Sequence, residues 1–218
     1  MSRRLHSLVV ASLVVPCVWW AVALGQEAKP IPLVAPQTEG GRPLMQALKD
    51  RRSARAFSPD KLPPQVLSNL LWAAFGVNRP ESGGRTAPSA SNRQEIDVYV
   101  AAADGLFLYE PKAHALRPVS ADDIRALTGR QPFLKDAAVN LIYVADLAKL
   151  GNVAAADKDI YPAAATGFIG QNVYLFCASE GLATVVRASI DRPTLAKAMG
   201  LRPDQKIILA QTVGYPKK

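Results

Sequence analysis

The stretch from Asp159 to Glu180 constrains the fold more than any other, because it is long, helical in spacing and apolar on nearly all sides. A helix without a broad polar face is unstable lying on a surface, so it is expected at the centre of the fold. Its small residues, Ala163, Ala164, Ala165, Gly167 and Gly170, permit another helix to approach closely, from this chain or from a second subunit. Gly181 is the expected stop.

The 218 residues, 49% hydrophobic and 20% charged, suffice for one globular domain with a full core and exclude a disordered chain. The formal charge of +8 permits nucleic-acid or anionic-lipid partners, but Lys and Arg are dispersed and no run exceeds a pair, so no nucleic-acid partner is expected. Residues 1–25 stand apart. Ser2-Arg3-Arg4 precedes the apolar run Leu8 to Leu24, and Ala23-Leu24-Gly25 supplies small residues for cleavage, which reads as an export signal to the periplasm. The alternative is an uncleaved anchor facing the periplasm, with Trp19-Trp20 at the interface. Arg3-Arg4 fits a twin-arginine signal, whereas Leu5-His6-Ser7-Leu8 matches the rest of that pattern poorly.

Cleavage after Gly25 removes two arginines and no acids, leaving 24 − 18 = +6. It also removes Cys17 and His6. The single remaining cysteine, Cys177, and histidine, His114, make an intramolecular disulfide impossible and supply metal or Cys/His catalysis poorly. Cys177 is expected in the core and His114, among turn residues, in solvent.

Residues 26–42, rich in Pro and Gly, read as an extended tether, and residues 43–218 as the domain. Pro43 opens a helix with Leu44, Ala47, Leu48 and Arg51 on one face; Pro64 opens a second, with Val66, Leu67, Leu70, Leu71, Ala74 and Phe75 apolar, ending at Gly76. Asn78 to Gln94 reads as a long loop, functional or disordered. Ile96, Val98 and Val100 alternate with polar positions and turn at Asp104-Gly105 into Leu106–Tyr109, a hairpin, followed by a strand from His114 to Val119. Ser120 and Asp123 are placed to cap a helix ending at Gly129. Val139 to Ala145 reads as a buried strand, Leu182 to Ile190 as extended, Asp191 to Gly200 as a helix and Lys206 to Val213 as a last strand.

Chemistry concentrates at Arg51-Arg52-Ser53-Ala54-Arg55-Ala56-Phe57, where three guanidiniums and a hydroxyl occupy five positions at a helix end. Guanidinium donors match phosphate bidentately, so the cluster suits a phosphorylated ligand; the other reading is a solvated basic end favoured by the helix dipole.

That segment, then Thr86-Ala87-Pro88-Ser89-Ala90-Ser91-Asn92, then Glu180-Gly181-Leu182-Ala183-Thr184 and finally Val213-Gly214-Tyr215-Pro216, in this order over residues 43 to 218, resembles the nitroreductase family of FMN enzymes, in particular its small branch with the SagB-type dehydrogenases. The resemblance implies an α+β fold, a central antiparallel sheet packed by helices, and a homodimer with FMN sites at the interface. It implies that Arg51, Arg52 and Ser53 hold the FMN phosphate and ribityl chain and that Arg55 faces the N1/O2 edge, where reduction places negative charge. Pro88, Ser89, Ala90, Ser91 and Asn92 would come from the other subunit to the pyrimidine and ribityl side. Val186 would pack on the ring, with the main chain at Ala188 and Ser189 near N5. Several members carry an acidic residue then Gly there, so only the main-chain contact carries over. Lys217 and Lys218 are the candidates for a basic residue that others carry beyond the last strand. The plainer readings are a turn at Pro88–Asn92, a helix cap at Gly181 and a strand end at Gly214-Tyr215-Pro216.

The function implied is an exported FMN oxidoreductase working by a ping-pong route between an electron donor, NAD(P)H or another, and a small organic acceptor. It needs no catalytic side chain beyond the flavin and no metal. The rival is a non-catalytic flavin- or anion-binding protein on the same scaffold.

Overall fold

The computed structural model describes residues 29–217; the export segment read at residues 1–25 and Lys218 lie outside the described residues. The chain orders as β1 (Ile31–Pro32), α1 (Leu44–Asp50), α2 (Pro64–Phe75), β2 (Val77–Arg79), β3 (Gly84–Arg85), β4 (Ile96–Ala102), β5 (Gly105–Glu110), β6 (Ala115–Ser120), β7 (Val139–Asp146), α3 (Asp157–Glu180), β8 (Ala183–Arg187), α4 (Arg192–Met199) and β9 (Gln205–Gly214). Seven strands form one sheet, β1-β6-β5-β4-β7-β9-β8, antiparallel at every pairing, and β2 with β3 makes a separate small hairpin. This is the α+β architecture, a central antiparallel sheet packed by helices, that the sequence suggests.

Both faces of the sheet are covered, and alternation along the strands divides the core in two. Ile96, Val98 and Val100 of β4 with Leu141 and Tyr143 of β7 pack under α2 and α3, meeting Leu70, Leu71, Ile169 and Val173. Tyr99 and Ala101 with Ile142 and Val144 point the other way, toward Leu195 and Met199 of α4. The continuous apolar run of β7 follows, since every one of its residues is buried.

Helix α3 is two-sided. Ala165, Ile169, Val173 and Cys177 face the core, while Ile160 is 59% and Phe168 48% exposed, with Ala163, Ala164 and Gly167 on the same outer side. Its close approach through a glycine is to the sheet: a Cβ on Gly170 would stand 3.4 Å from both Gln211 Oε1 and Val186 Cγ2, whereas one on Gly167 would meet nothing within 4 Å. Gly181 ends the helix at φ 69°, a left-handed cap that only glycine adopts without strain.

Three segments differ from the reading of the sequence. The helix expected to end at Gly129 is only a 3-10 turn, Arg125–Thr128. Its would-be caps are engaged elsewhere: Ser120 Oγ bonds Asp122, and the Asp123 carboxylate accepts from the Arg125 amide and guanidinium. The segment Asn78 to Gln94 is not bare loop, since Arg79 pairs with Gly84 and Val77 with Arg85. His114 is half-buried rather than solvated, at φ 45°, between Ser68 Oγ (2.7 Å from Nε2) and the Tyr109 hydroxyl (2.9 Å from Nδ1). Burial pushes its pKa below the ordinary imidazole value. Ser68 Oγ donates to Val34 O, and Leu33 N to His114 O, so the segment before α1 is strapped to the domain.

Candidate functional site

Helix α1 ends where Arg51 turns extended (φ −58°, ψ 123°), and residues 52–57 run alongside β8. Ala54 N donates to Thr184 O at 2.9 Å, Phe57 bridges Pro216, Ser58 N donates to Tyr215 O and Lys217 N to Ala56 O. Phe57, 3% exposed, seals the junction against Ala183, Val185 and Phe133. Three of the four sequence segments, 51–57, 180–184 and 213–216, therefore converge.

A cavity of about 590 Å³ opens between them, walled by Arg42, Lys49, Arg51, Arg52, Tyr174 and Thr184 among others. Its carboxylate, Asp50, is held by Arg42 at 2.8 Å and by Gln46, and those bonds keep its pKa below the usual carboxylate range. Lys49, Arg51 and Arg52 make no ion pair among the described residues, so three positive charges face one space. A second groove, of about 840 Å³, runs past Phe57, Ser58, Asp60, Tyr215 and Lys217 and shares Gly181 and Pro216 with the first. The arrangement suits an anionic head in the first space with an apolar body nearby.

Tyr174 of α3 ties the site together. Its hydroxyl is 2.8 Å from Ser53 Oγ and accepts from Val186 N at 3.0 Å, and Arg51 Cζ lies 5.4 Å from its ring centroid. Ser53 and Val186, far apart in sequence, are thus joined through one side chain. Arg55 is exposed and walls neither cavity; Ala188 and Ser189 are exposed just beyond β8. Lys217 walls the second groove.

Beneath Ala188, Arg187 is 5% exposed and donates to Thr212 Oγ1 (3.0 Å), Thr128 O (2.7 Å) and Asn140 Oδ1 (2.9 Å). Among the described residues no carboxylate is its partner, and burial lowers its pKa to about 10.

Pro88–Asn92 lies elsewhere. None of the five residues walls either cavity, and their bonds stay local: Gln94 N donates to Ser89 Oγ, Gln94 Nε2 to Asn92 Oδ1 and Asn92 N to Ser89 O. Ser91, Asn92 and Gln94 hold φ of 50°, 53° and 53°, a concentration of left-handed non-glycine residues of the kind that marks functional loops.

Tyr174, Arg42 and Lys49 are site residues that sequence reasoning missed. The available signal for Tyr174 was a phenol one helical turn after Gly170, which needs a polar partner when it packs inward.

Comparison with known proteins gives concordant results. The model of the nitroreductase family matches residues 48–215. A protein of Methanocaldococcus jannaschii, provisionally named a nitroreductase, is 32% identical over 152 residues, 65% of this chain and 76% of its own length. A crystal structure from Ralstonia eutropha, also provisionally a nitroreductase, is 40% identical with a TM-score of 0.81, covering 88% of this chain and 98% of that one. A provisionally named nitroreductase of Desulfovibrio desulfuricans, crystallised in complex with FMN, shares the fold at 22% identity and a TM-score of 0.60, covering 82% and 89%.

Proposed function

Since the chain belongs to the nitroreductase family, whose members are oxidoreductases, we propose that it is an exported FMN-dependent enzyme of that family, a homodimer passing electrons by a ping-pong route to a small organic acceptor. The observation that carries this reading is the cavity where Lys49, Arg51 and Arg52 make no ion pair among the described residues, next to Ser53 and the glycine-capped end of α3. A phosphate monoester meets that charge, and the volume lies in the range of about 300–1,000 Å³ typical of ligand sites.

Arg51 and Arg52, which wall the cationic cavity, suit the phosphate of the cofactor. Arg51, Arg52 and Ser53 would hold its phosphate and ribityl chain. Arg55, which makes no ion pair among the described residues, would neutralise charge at the pyrimidine edge. Val186, with the main chain at Ala188 and Ser189, would line the ring, and Lys217 and Lys218 lie toward the chain end. FMN, when bound, supplies two-electron chemistry; the chain binds, orients and excludes water. The segment Pro88–Asn92, turned away from its own cavity, would serve the site of a second copy. The outer side of α3 offers the contact: Ile160 and Phe168 there, and Leu44, Met45 and Leu48 of α1, are all exposed apolar side chains.

The test is to recover the protein from the periplasm and record its visible spectrum before and after adding FMN. Flavin bands that survive gel filtration, bleach with an electron donor and return with an acceptor are the expected result. Absence of bound flavin in excess FMN would overturn the reading, and flavin that no donor bleaches would leave a binding protein only.

A further inference from the structure

Tyr174 occupies the α3 face that meets β8, and its hydroxyl has two polar neighbours among the described residues. The main-chain N–H of Val186 donates to the phenol oxygen at 3.0 Å, which uses one lone pair. Ser53 Oγ stands 2.8 Å away, the remaining polar neighbour of that oxygen among the described residues. Either hydroxyl can donate across that contact, and the direction that gives the phenol proton a partner among the described residues is donation to Ser53, whose oxygen then accepts it. Ser53 keeps its own proton, and among the described residues it has no other hydrogen-bond partner for it. It is exposed, between Arg52 and Ala54, both of which wall the cationic cavity. The ring meanwhile lies under the Arg51 guanidinium, Cζ 5.4 Å from the centroid, which holds that cation against the wall by its face and leaves its edge donors free.

We propose that Tyr174 is a positioning residue for the phosphate of the ligand: through its hydroxyl it turns Ser53 into a dedicated donor, and through its ring it seats Arg51. The inference rests on the FMN reading above. It predicts that the chain distinguishes FMN from riboflavin, which lacks only the phosphate, and that the distinction passes through Tyr174.

The experiment is titration of the purified full chain, stripped of flavin, with FMN and with riboflavin, followed by flavin fluorescence. Tyr174→Phe removes the hydroxyl and keeps the ring. It should weaken FMN about tenfold, the usual effect of one hydrogen bond to a charged group, and change riboflavin less than about twofold. Ser53→Ala, at an exposed position, should show the same selective loss, and the double variant should be no worse than Ser53→Ala alone. Tyr174→Leu, which also removes the ring under Arg51, should cost FMN more than Tyr174→Phe does. Equal losses for FMN and riboflavin would mean that Tyr174 only supports the wall, and unchanged FMN affinity in Tyr174→Phe, or additive losses in the double variant, would equally overturn the proposal. A wild-type chain that binds neither flavin would remove the FMN reading itself, and this inference with it.

Discussion

The segments Arg51–Phe57 and Pro88–Asn92 carry comparable densities of polar side chains, yet the fold treats them in opposite ways. The first is tied to distant parts of its own chain, through Ala54 to Thr184, Phe57 to Pro216 and Ser53 to Tyr174. The second is tied chiefly to itself, through Ser89, Asn92 and Gln94, and keeps left-handed backbone at non-glycine residues. A segment anchored by long-range bonds has its geometry set by folding, before any ligand arrives. On the proposed reading, the first segment belongs to the anion-binding end of the site of its own chain, and the second is the piece offered to another copy.

The largest effect should come from undermining the anchored region. Arg187 fixes the end of β8 through Thr128, Asn140 and Thr212, and Arg187→Met takes its donors from Thr128 O and Thr212 Oγ1 and leaves Asn140 Oδ1 with Thr212 alone. A loss of about 3 kcal/mol in urea unfolding is expected, with Arg187→Lys recovering little because an ammonium cannot reproduce the fork. A loss below about 1 kcal/mol would mean that the cost of burying an unpaired cation offsets its hydrogen bonds.

Next comes a test of the division between the two segments. Arg51→Ala and Asn92→Ala chains should each retain little FMN alone. Unfolded and refolded together, they should regain about a quarter of the wild-type flavin content, because half the dimers are mixed and each mixed dimer has one intact site. No recovery would place both segments in the same site of one chain.

A smaller effect is expected at the strained loop itself. Ser91→Gly relieves a left-handed residue at φ 50° and should raise stability by about 0.5 kcal/mol in thermal unfolding, while loosening the presented surface and weakening FMN. A fall in stability would show that the loop is held without strain.

The smallest is a control remote from both segments. Burial holds the folded pKa of His114 below the ordinary imidazole value of 6.5. Its neutral form contributes stability that is complete above the unfolded pKa and declines as pH falls from there toward the folded pKa. The melting temperature should therefore fall as pH is lowered through and below the ordinary imidazole pKa of about 6.5, and His114→Gln should flatten that slope without altering flavin content. The same slope in His114→Gln would assign the effect to other groups.

Much of the fold was legible because its signals are local. The run at Val139–Ala145, the helix between Pro64 and Gly76 and the hairpin at Asp104-Gly105 each follow from spacing and turn chemistry alone, and each stands where the sequence puts it. The arginine cluster was legible because its residues are contiguous. What escaped depends on partners far along the chain. Tyr174 looks like one more apolar helix residue until Ser53 and Val186 are brought to it, and Arg187 looks like an ordinary strand residue until Thr128, Asn140 and Thr212 close over it. His114 reads as a turn residue because its neighbours are polar, whereas its burial comes from the strap that crosses above it.

That strap also governs how the sheet ends. Strand β1 pairs only Ile31 and Pro32 with Leu116 and Ala115, and Pro32 has no amide hydrogen to offer outward. So short a pairing, closed by a proline, blunts an edge that would otherwise recruit strands from neighbouring molecules. A chain begun at Pro43 would leave β6 as a bare margin of the sheet. Self-association through that margin is the hazard of trimming a segment that looks dispensable.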